Sequence, residues 1–137
     1  MKFVDTGYWV ALQLSKDSHH QEAAALWKEP LGTLLCTNHV LGETWTFLRR
    51  RASHLAAVSF LDAAQKSPRL ILTHVDEALE AEALRWLRRH DEREYSFVDA
   101  TSFAVMRQRR LTEALAFDGD FAAAGFVEVR PSAMKEE

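Results

Sequence analysis

Short apolar runs alternate with longer stretches of helical periodicity along this chain. Phe3-Val4, Leu34-Leu35-Cys36, Leu70-Ile71-Leu72, the run at Leu115 and Phe126-Val127-Glu128-Val129 are brief and bounded by polar or turn residues. Such windows read as strands, and those apolar throughout suit a parallel sheet covered on both faces. Between them lie helical patterns. Tyr8 to Leu12 starts a short helix after Thr6-Gly7. Asp17 or Ser18 can cap a second, Ser18 and Gln21 having capping-box spacing, with Ala23, Leu26 and Trp27 as its apolar stripe. Asn38 is expected to cap a helix running to about Arg50. His54 to Gln65 places Leu55, Val58, Leu61 and Ala64 on one face. Asp76 to Arg89 carries Leu79, Ala83, Trp86 and Leu87, and Ser96 opens a helix from Phe97 to about Arg110. A turn at Phe121–Ala124, stopped by Gly125, precedes the last strand. Strands alternating with helices predict an α/β domain with a mostly parallel sheet.

Composition narrows the class. A chain of 137 residues, 47% hydrophobic and 27% charged, suits one ordinary domain with a core of its own. Residues after Pro131 read as a frayed tail. No apolar run approaches the roughly 20 residues that span a bilayer, and the early Asp5 argues against a signal peptide. Cys36 is the only cysteine, which excludes an internal disulfide and a multi-cysteine zinc site and fits a reducing cytoplasm. With a net charge of −3, a nucleic-acid partner would have to be met by local basic patches or through a bound cation.

The informative residues are acids. Leu115-Ala116-Phe117-Asp118-Gly119-Asp120-Phe121 is an apolar run broken by two carboxylates at a strand end, and like charges there raise each other's pKa. Asp5 ends the first strand. Glu43 lies one turn into the Asn38 helix and shares a face with Val40 and Phe47, which points it toward the protein. Asp99 falls in the first turn of its helix, where the dipole favours negative charge. Each has a plainer reading: Ser96 and Asp99 as a capping box, Asp118 as an N-cap, Asp5 as a turn residue, Glu43 at a helix rim. In a parallel sheet, however, sites form beyond the C-terminal strand ends. A carboxylate cluster there needs compensation, for which a hard divalent cation held by oxygens is the natural candidate.

Val4-Asp5-Thr6, Glu43 within a helix, Ser96-Phe97-Val98-Asp99-Ala100 and Ala116-Phe117-Asp118-Gly119-Asp120-Phe121 together resemble the PIN-domain ribonucleases. More closely, the chain is similar to the single-domain toxins of VapBC toxin–antitoxin pairs, over essentially its whole length. The resemblance implies a three-layer α/β/α domain over residues 1–131, with a central, mostly parallel sheet of about five strands and a tail at 132–137. It also implies an Mg²⁺- or Mn²⁺-dependent endoribonuclease, usually a homodimer, neutralised by a cognate antitoxin protein. The family's conserved acids fall on Asp5, Glu43, Asp99 and Asp118, with Asp120 as an auxiliary acid and Thr6 as a neighbouring hydroxyl. One departure is Ala116, where the family often has a hydroxyl residue.

On that reading Asp5, Asp99 and Asp118 hold Mg²⁺ directly or through waters, and Glu43 holds a second metal or orients the attacking water. Metal-activated water as nucleophile would leave 5′-phosphate and 3′-hydroxyl ends. Three arginine clusters could grip RNA: Arg49–Arg51, Arg85 with Arg88 and Arg89, and Arg107 with Arg109 and Arg110. Basic residues at helix C-termini also serve the helix dipole alone. His19-His20 are expected in an exposed loop or first turn, Cys36 in the core, and the tryptophans in core or interface. The His54–Gln65 helix is the candidate face for a dimer or antitoxin, with core packing as the equal alternative. The rival from another class is a catalytically silent PIN-like dimeric binding module.

Overall fold

Strand β1 (Lys2–Val4) lies at the centre of a five-stranded sheet of order β3-β2-β1-β4-β5, with every pairing parallel. The computed structural model describes residues 1–132. After β1 come α1 (Thr6–Gln13), α2 (His20–Trp27), β2 (Leu34–Thr37), α3 (Asn38–Arg51), α4 (His54–Lys66) and β3 (Leu70–Thr73). The second half is α5 (Glu77–Arg89), α6 (Phe97–Arg109), β4 (Glu113–Leu115), α7 (Asp120–Ala123) and β5 (Val127–Glu128). The chain steps outward from β1 to β2 and β3, then returns to the other side of β1 for β4. The switch point therefore falls between β1 and β4, where Val4 pairs with Leu115, and parallel sheets open a ligand crevice at that place.

Right-handed crossovers put α1–α4 on one face of the sheet and α5–α7 on the other, which gives the three layers expected. The aromatic packing follows the same division. Trp9 meets Phe60 at 5.5 Å and Trp27 at 5.9 Å on the first side. Phe103 meets Phe121 at 4.9 Å and Trp86 at 5.2 Å on the second. Phe3, Leu34, Leu35 and Leu115 are fully buried between the layers; at about 1.5–3 kcal/mol for each large side chain, this packing holds the strand ends in place. Trp9 and Trp86 are core, as expected, while Trp27 and Trp45 pack against it half-buried.

Several local expectations are corrected. The cap of α3 is Thr37, whose Oγ1 accepts the Val40 N–H at 3.1 Å; Asn38 instead accepts the Val75 N–H at 2.7 Å and ties α3 to the chain after β3. Ser18 forms no capping box, because α2 begins at His20; Asp17 accepts the His19 N–H at 2.9 Å and makes a turn there. On α4 the buried residues are Ala57, Phe60 and Ala64, and Leu55 is 74% exposed, so the apolar face is rotated from the one expected. Strand β3 has a neighbour on one side only, and Ile71 and Leu72 stay partly exposed rather than covered. Of the expected tail, Ser132 is anchored: its N–H and hydroxyl donate to the two Glu29 oxygens at 2.9 Å. Residues 133–137 of the tail lie outside the described residues.

Candidate active site

Asp5 and Asp118 come from the two strands that flank the switch point. The Asp5 N–H donates to the Leu115 carbonyl at 3.1 Å, extending the β1–β4 ladder. The Asp5 carbonyl then accepts from Tyr8 and Trp9 as α1 begins. Its side chain makes no helix-capping hydrogen bond, and the backbone N–H of Thr6 is its one hydrogen-bonding influence. Asp5 is only 4% exposed. Burial raises its pKa well above the ordinary value, and the charges of Asp99, Asp118 and Glu43 push it further. The charges of three acids far away in sequence therefore reach Asp5 at the C-terminal sheet edge.

Asp99 is both capping residue and site residue. Ser96 Oγ accepts the Asp99 N–H at 2.9 Å, and Asp99 Oδ2 accepts the Ser96 N–H at 3.0 Å. A cap and a helix N-terminus favour the anion by about 1 kcal/mol. Burial outweighs this: with the charges of Asp120 and Asp118 added, the carboxyl is pushed up to about 6. Asp118 stands at the rim, also raised, by loss of surrounding water first and by the Asp120 charge.

Glu43 departs from its expected setting. It is exposed, as is Phe47 one turn on, and both line a cavity of about 660 Å³ with Asn38, His39, Arg50 and Arg51. The face shared by Glu43 and Phe47 is thus a wall of the cleft and not part of the core. A second cavity of about 240 Å³ holds Asp5, Thr6, His19, Phe47, Phe117 and Asp118.

The Asp118-Gly119-Asp120 turn is braced from two sides. Gly119 has φ +86°, a left-handed conformation that a side chain would strain, and the Asp120 N–H donates to Asp118 Oδ1 at 3.0 Å. From the front, Arg93 donates through Nε to Asp120 at 2.8 Å and through Nη2 to the Asp118 carbonyl at 3.2 Å. From behind, Glu128 accepts the Gly119 N–H at 3.2 Å and the Ala122 N–H at 3.1 Å. Arg130 in turn bonds the Ala116 carbonyl at 2.7 Å and Glu128 at 3.3 Å. The sequence reading missed Arg93, Glu128 and Arg130. Arg93 lies in a charged loop 27 residues from Asp120, and no spacing rule links them. Ala116 is buried, and its backbone rather than a side chain takes part.

The sequence model of the family described as PIN domain matches residues 2–127. The chain belongs to the PIN-domain family. It is 56% identical over 131 residues to the 23S rRNA-specific endonuclease VapC20 of Mycobacterium tuberculosis, covering 96% of this chain and 99% of that one. A VapC ribonuclease of Archaeoglobus fulgidus is 31% identical over 124 residues, with 87% and 78% covered. The crystal structure of M. tuberculosis VapC20, described as a sarcin–ricin-loop-cleaving toxin, superposes with a TM-score of 0.91 at 54% identity, over 96% of this chain and 100% of that chain. FitAcB from Neisseria gonorrhoeae has a TM-score of 0.65 at 17% identity, over 96% and 98%, a likeness of fold alone.

Within this VapC-type PIN domain the donor set suits a hard cation. Asp5, Glu43, Asp99 and Asp118 offer oxygen only, and Thr6 Oγ1 is buried beside Asp5 with no hydrogen-bond partner. No three His, Cys, Asp or Glu side chains among the described residues close on a common point.

Other candidates separate from this cleft. Cys36 is fully buried and its thiol is pushed up to about 12 by burial, so it is core, as expected. His19 and His20 fall at the turn and first residue of α2, as expected; the His19 ring stacks on Phe117 at 4.5 Å, and His20 bonds the Ala11 carbonyl at 2.8 Å. Arg107 pairs with Glu82 at 3.5 Å and Arg109 bonds Thr73 at 2.9 Å. That cluster ends α6 about 15 Å along the helix from Asp99. Arg50 and Arg51 share a cavity with Glu43. No helix among the described residues is long and apolar enough to cross a membrane.

Proposed function

We propose that this chain is a divalent-metal-dependent endoribonuclease, the toxin of a toxin–antitoxin pair, and that its target is the sarcin–ricin loop of 23S ribosomal RNA. The observation that carries the activity is the oxygen-only set of mutually repelling acids at the β1–β4 switch point. The target follows from the 56% identity to a relative named for 23S rRNA cleavage. A homodimer and a cognate antitoxin partner in the cytoplasm belong to the same reading.

Asp5, Asp99 and Asp118 would hold Mg²⁺ or Mn²⁺, with Glu43 holding a second ion or orienting the attacking water. The bound cation supplies positive charge against the phosphate and acidity to water at neutral pH. The protein's own part is positioning. Asp5 is fixed by the β1–β4 ladder, Asp99 by its capping box, and Asp118 by Arg93 and the Glu128–Arg130 brace. Arg50 and Arg51 give the otherwise acidic cleft a basic margin for the RNA backbone. Glu43, exposed on α3, is free to accept a proton from water. Thr6 stands next to Asp5 as a hydrogen-bonding hydroxyl, and Asp120 keeps Arg93 in place.

The test is cleavage of a sarcin–ricin-loop oligonucleotide and of whole ribosomal RNA by wild type and by Asp5→Asn, with Mg²⁺, Mn²⁺ or chelator. Cut RNA with 5′-phosphate ends, lost in the variant and in chelator, supports the reading. No cleavage of any RNA under these conditions favours a silent binding module, and 2′,3′-cyclic phosphate ends would overturn the metal–water chemistry.

A further inference from the structure

Phe47 is the residue that the two cleft cavities share. It lines the larger one with Glu43, Arg50 and Arg51, and the smaller one with Asp5, Phe117 and Asp118. The ring thus stands between two hollows, each of which contains part of the acid set. It is 37% exposed, so one part of the ring is open to a ligand in the cleft while the rest is packed. The side chain is also supported. The Arg51 guanidinium lies 5.3 Å from the ring centroid, a cation–π contact that holds the ring and places a cation beside it. The smaller hollow has a stiff aromatic wall, because Phe117 stacks on His19 at 4.5 Å with 3° between the planes and on Tyr8 at 6.0 Å.

We propose that Phe47 is a nucleobase wedge, which separates the two nucleotides that flank the scissile phosphate of a single-stranded RNA. This rests on the ribonuclease reading above and names how that site holds its substrate. With the phosphate at the acids, one flanking nucleotide enters the larger hollow beside Arg50 and Arg51. The other enters the smaller hollow against the Phe117 wall. Unstacking the pair over Phe47 turns the connecting phosphate toward the acids. Sequence-selective RNA recognition commonly works on splayed bases stacked on aromatic rings and guanidinium planes, and cavities of about 300–1,000 Å³ are the usual size of ligand sites. The larger hollow at about 660 Å³ falls within that range. The occupant is RNA because both hollows are continuous with the acids and the arginines supply charge for phosphate.

The experiment compares wild type, Phe47→Ala, Phe47→Leu and Phe47→Trp on a sarcin–ricin-loop oligonucleotide carrying 2-aminopurine beside the cleaved position. Cleavage is read as kcat and KM, and base unstacking as fluorescence in the cleavage-silent Asp5→Asn background. Thermal melting of each variant checks the fold. The ring is partly exposed, so folding is expected to persist. The wedge predicts a drop of about 5- to 150-fold in kcat/KM for Phe47→Ala, a similar loss for the apolar but non-aromatic Leu, and recovery with Trp. It also predicts a fluorescence change on binding that disappears with Ala. Wild-type kcat/KM in Phe47→Ala, equal activity of Leu and Trp, or loss of antitoxin binding alone would overturn it. A wild type that cleaves no RNA yet still unstacks the probe through Phe47 would overturn the catalytic reading and leave the wedge standing. Absence of the fluorescence change in a cleaving wild type would do the reverse.

Discussion

Replacing Asp99 by Asn should make the metal-free protein more stable while removing its activity. The sign comes from ionisation. A carboxyl pushed from 3.8 up to about 6 carries an ionisation cost of up to about 3 kcal/mol at pH 7. Burying the Asn amide, whose N–H groups need partners of their own, offsets part of this, so about 1–2 kcal/mol is the expected gain. Asn keeps an oxygen to accept the Ser96 N–H, so the reciprocal cap with Ser96 survives. Asp99→Ala loses that acceptor and should gain less, or lose about 1 kcal/mol outright. Urea unfolding in chelator at pH 7 measures the difference. A repeat in Mg²⁺ should reverse the order of wild type and Asn variant, because a ligand at 100 times its Kd adds about 2.7 kcal/mol to the wild type alone. The reasoning fails if Asp99→Asn is less stable than wild type without metal. It fails equally if both proteins gain the same stability from Mg²⁺.

Other outcomes follow from the same geometry. Asp5 and Asp99 have folded-state pKa values above their ordinary ones, so the native state holds more protons than the unfolded chain above about pH 4; their contribution is present at lower pH and lost as pH rises, for Asp99 through about 6. Metal-free protein should therefore show a higher urea midpoint at pH 5.5 than at pH 7.5, and Mg²⁺ should flatten or invert the trend. Glu128→Ala removes the acceptor of two backbone N–H groups in the catalytic turn and should cost about 1–3 kcal/mol, with weaker Mg²⁺ binding read by calorimetry. Asn38→Ala leaves the Val75 N–H without its 2.7 Å partner and should destabilise by about 1–3 kcal/mol in a thermal melt. The buried Cys36 thiol, held near 12, should resist iodoacetamide at pH 8 in the native protein and react once urea unfolds it.

The sheet was legible because buried parallel strands announce themselves as short apolar runs, and the site because parallel topology fixes where strand-end acids meet. Asp5 directly follows β1, as expected, while Asp118 lies in the turn beyond β4; their approach depends on the β1–β4 pairing, which chain order alone does not give. Periodicity misjudged Glu43. Sharing a face with Val40 and Phe47 suggested burial, but that face borders a cavity, and helical spacing does not distinguish a core from a cleft wall. Capping residues slipped by one position, since Thr37 and Asn38 are both competent and only the tertiary partner of Asn38 at Val75 decides between them. Leu55 was assigned to a buried stripe, yet the helix turns Ala57 and Phe60 inward instead. The turn around Gly119 is held by Arg93 and Glu128 through hydrogen bonds that depend on where the loop and β5 come to rest. Such contacts carry no spacing signature.

Cleavage of RNA by the acids gathered at the β1–β4 edge, with a divalent cation, is the proposed activity. It is tested most directly by mapping the ends of 23S ribosomal RNA incubated with wild type and Asp5→Asn, in Mg²⁺ and in chelator. The account predicts one dominant cut in the sarcin–ricin loop with a 5′-phosphate end, made only by wild type with Mg²⁺. Cleavage that persists in Asp5→Asn or in chelator would contradict it.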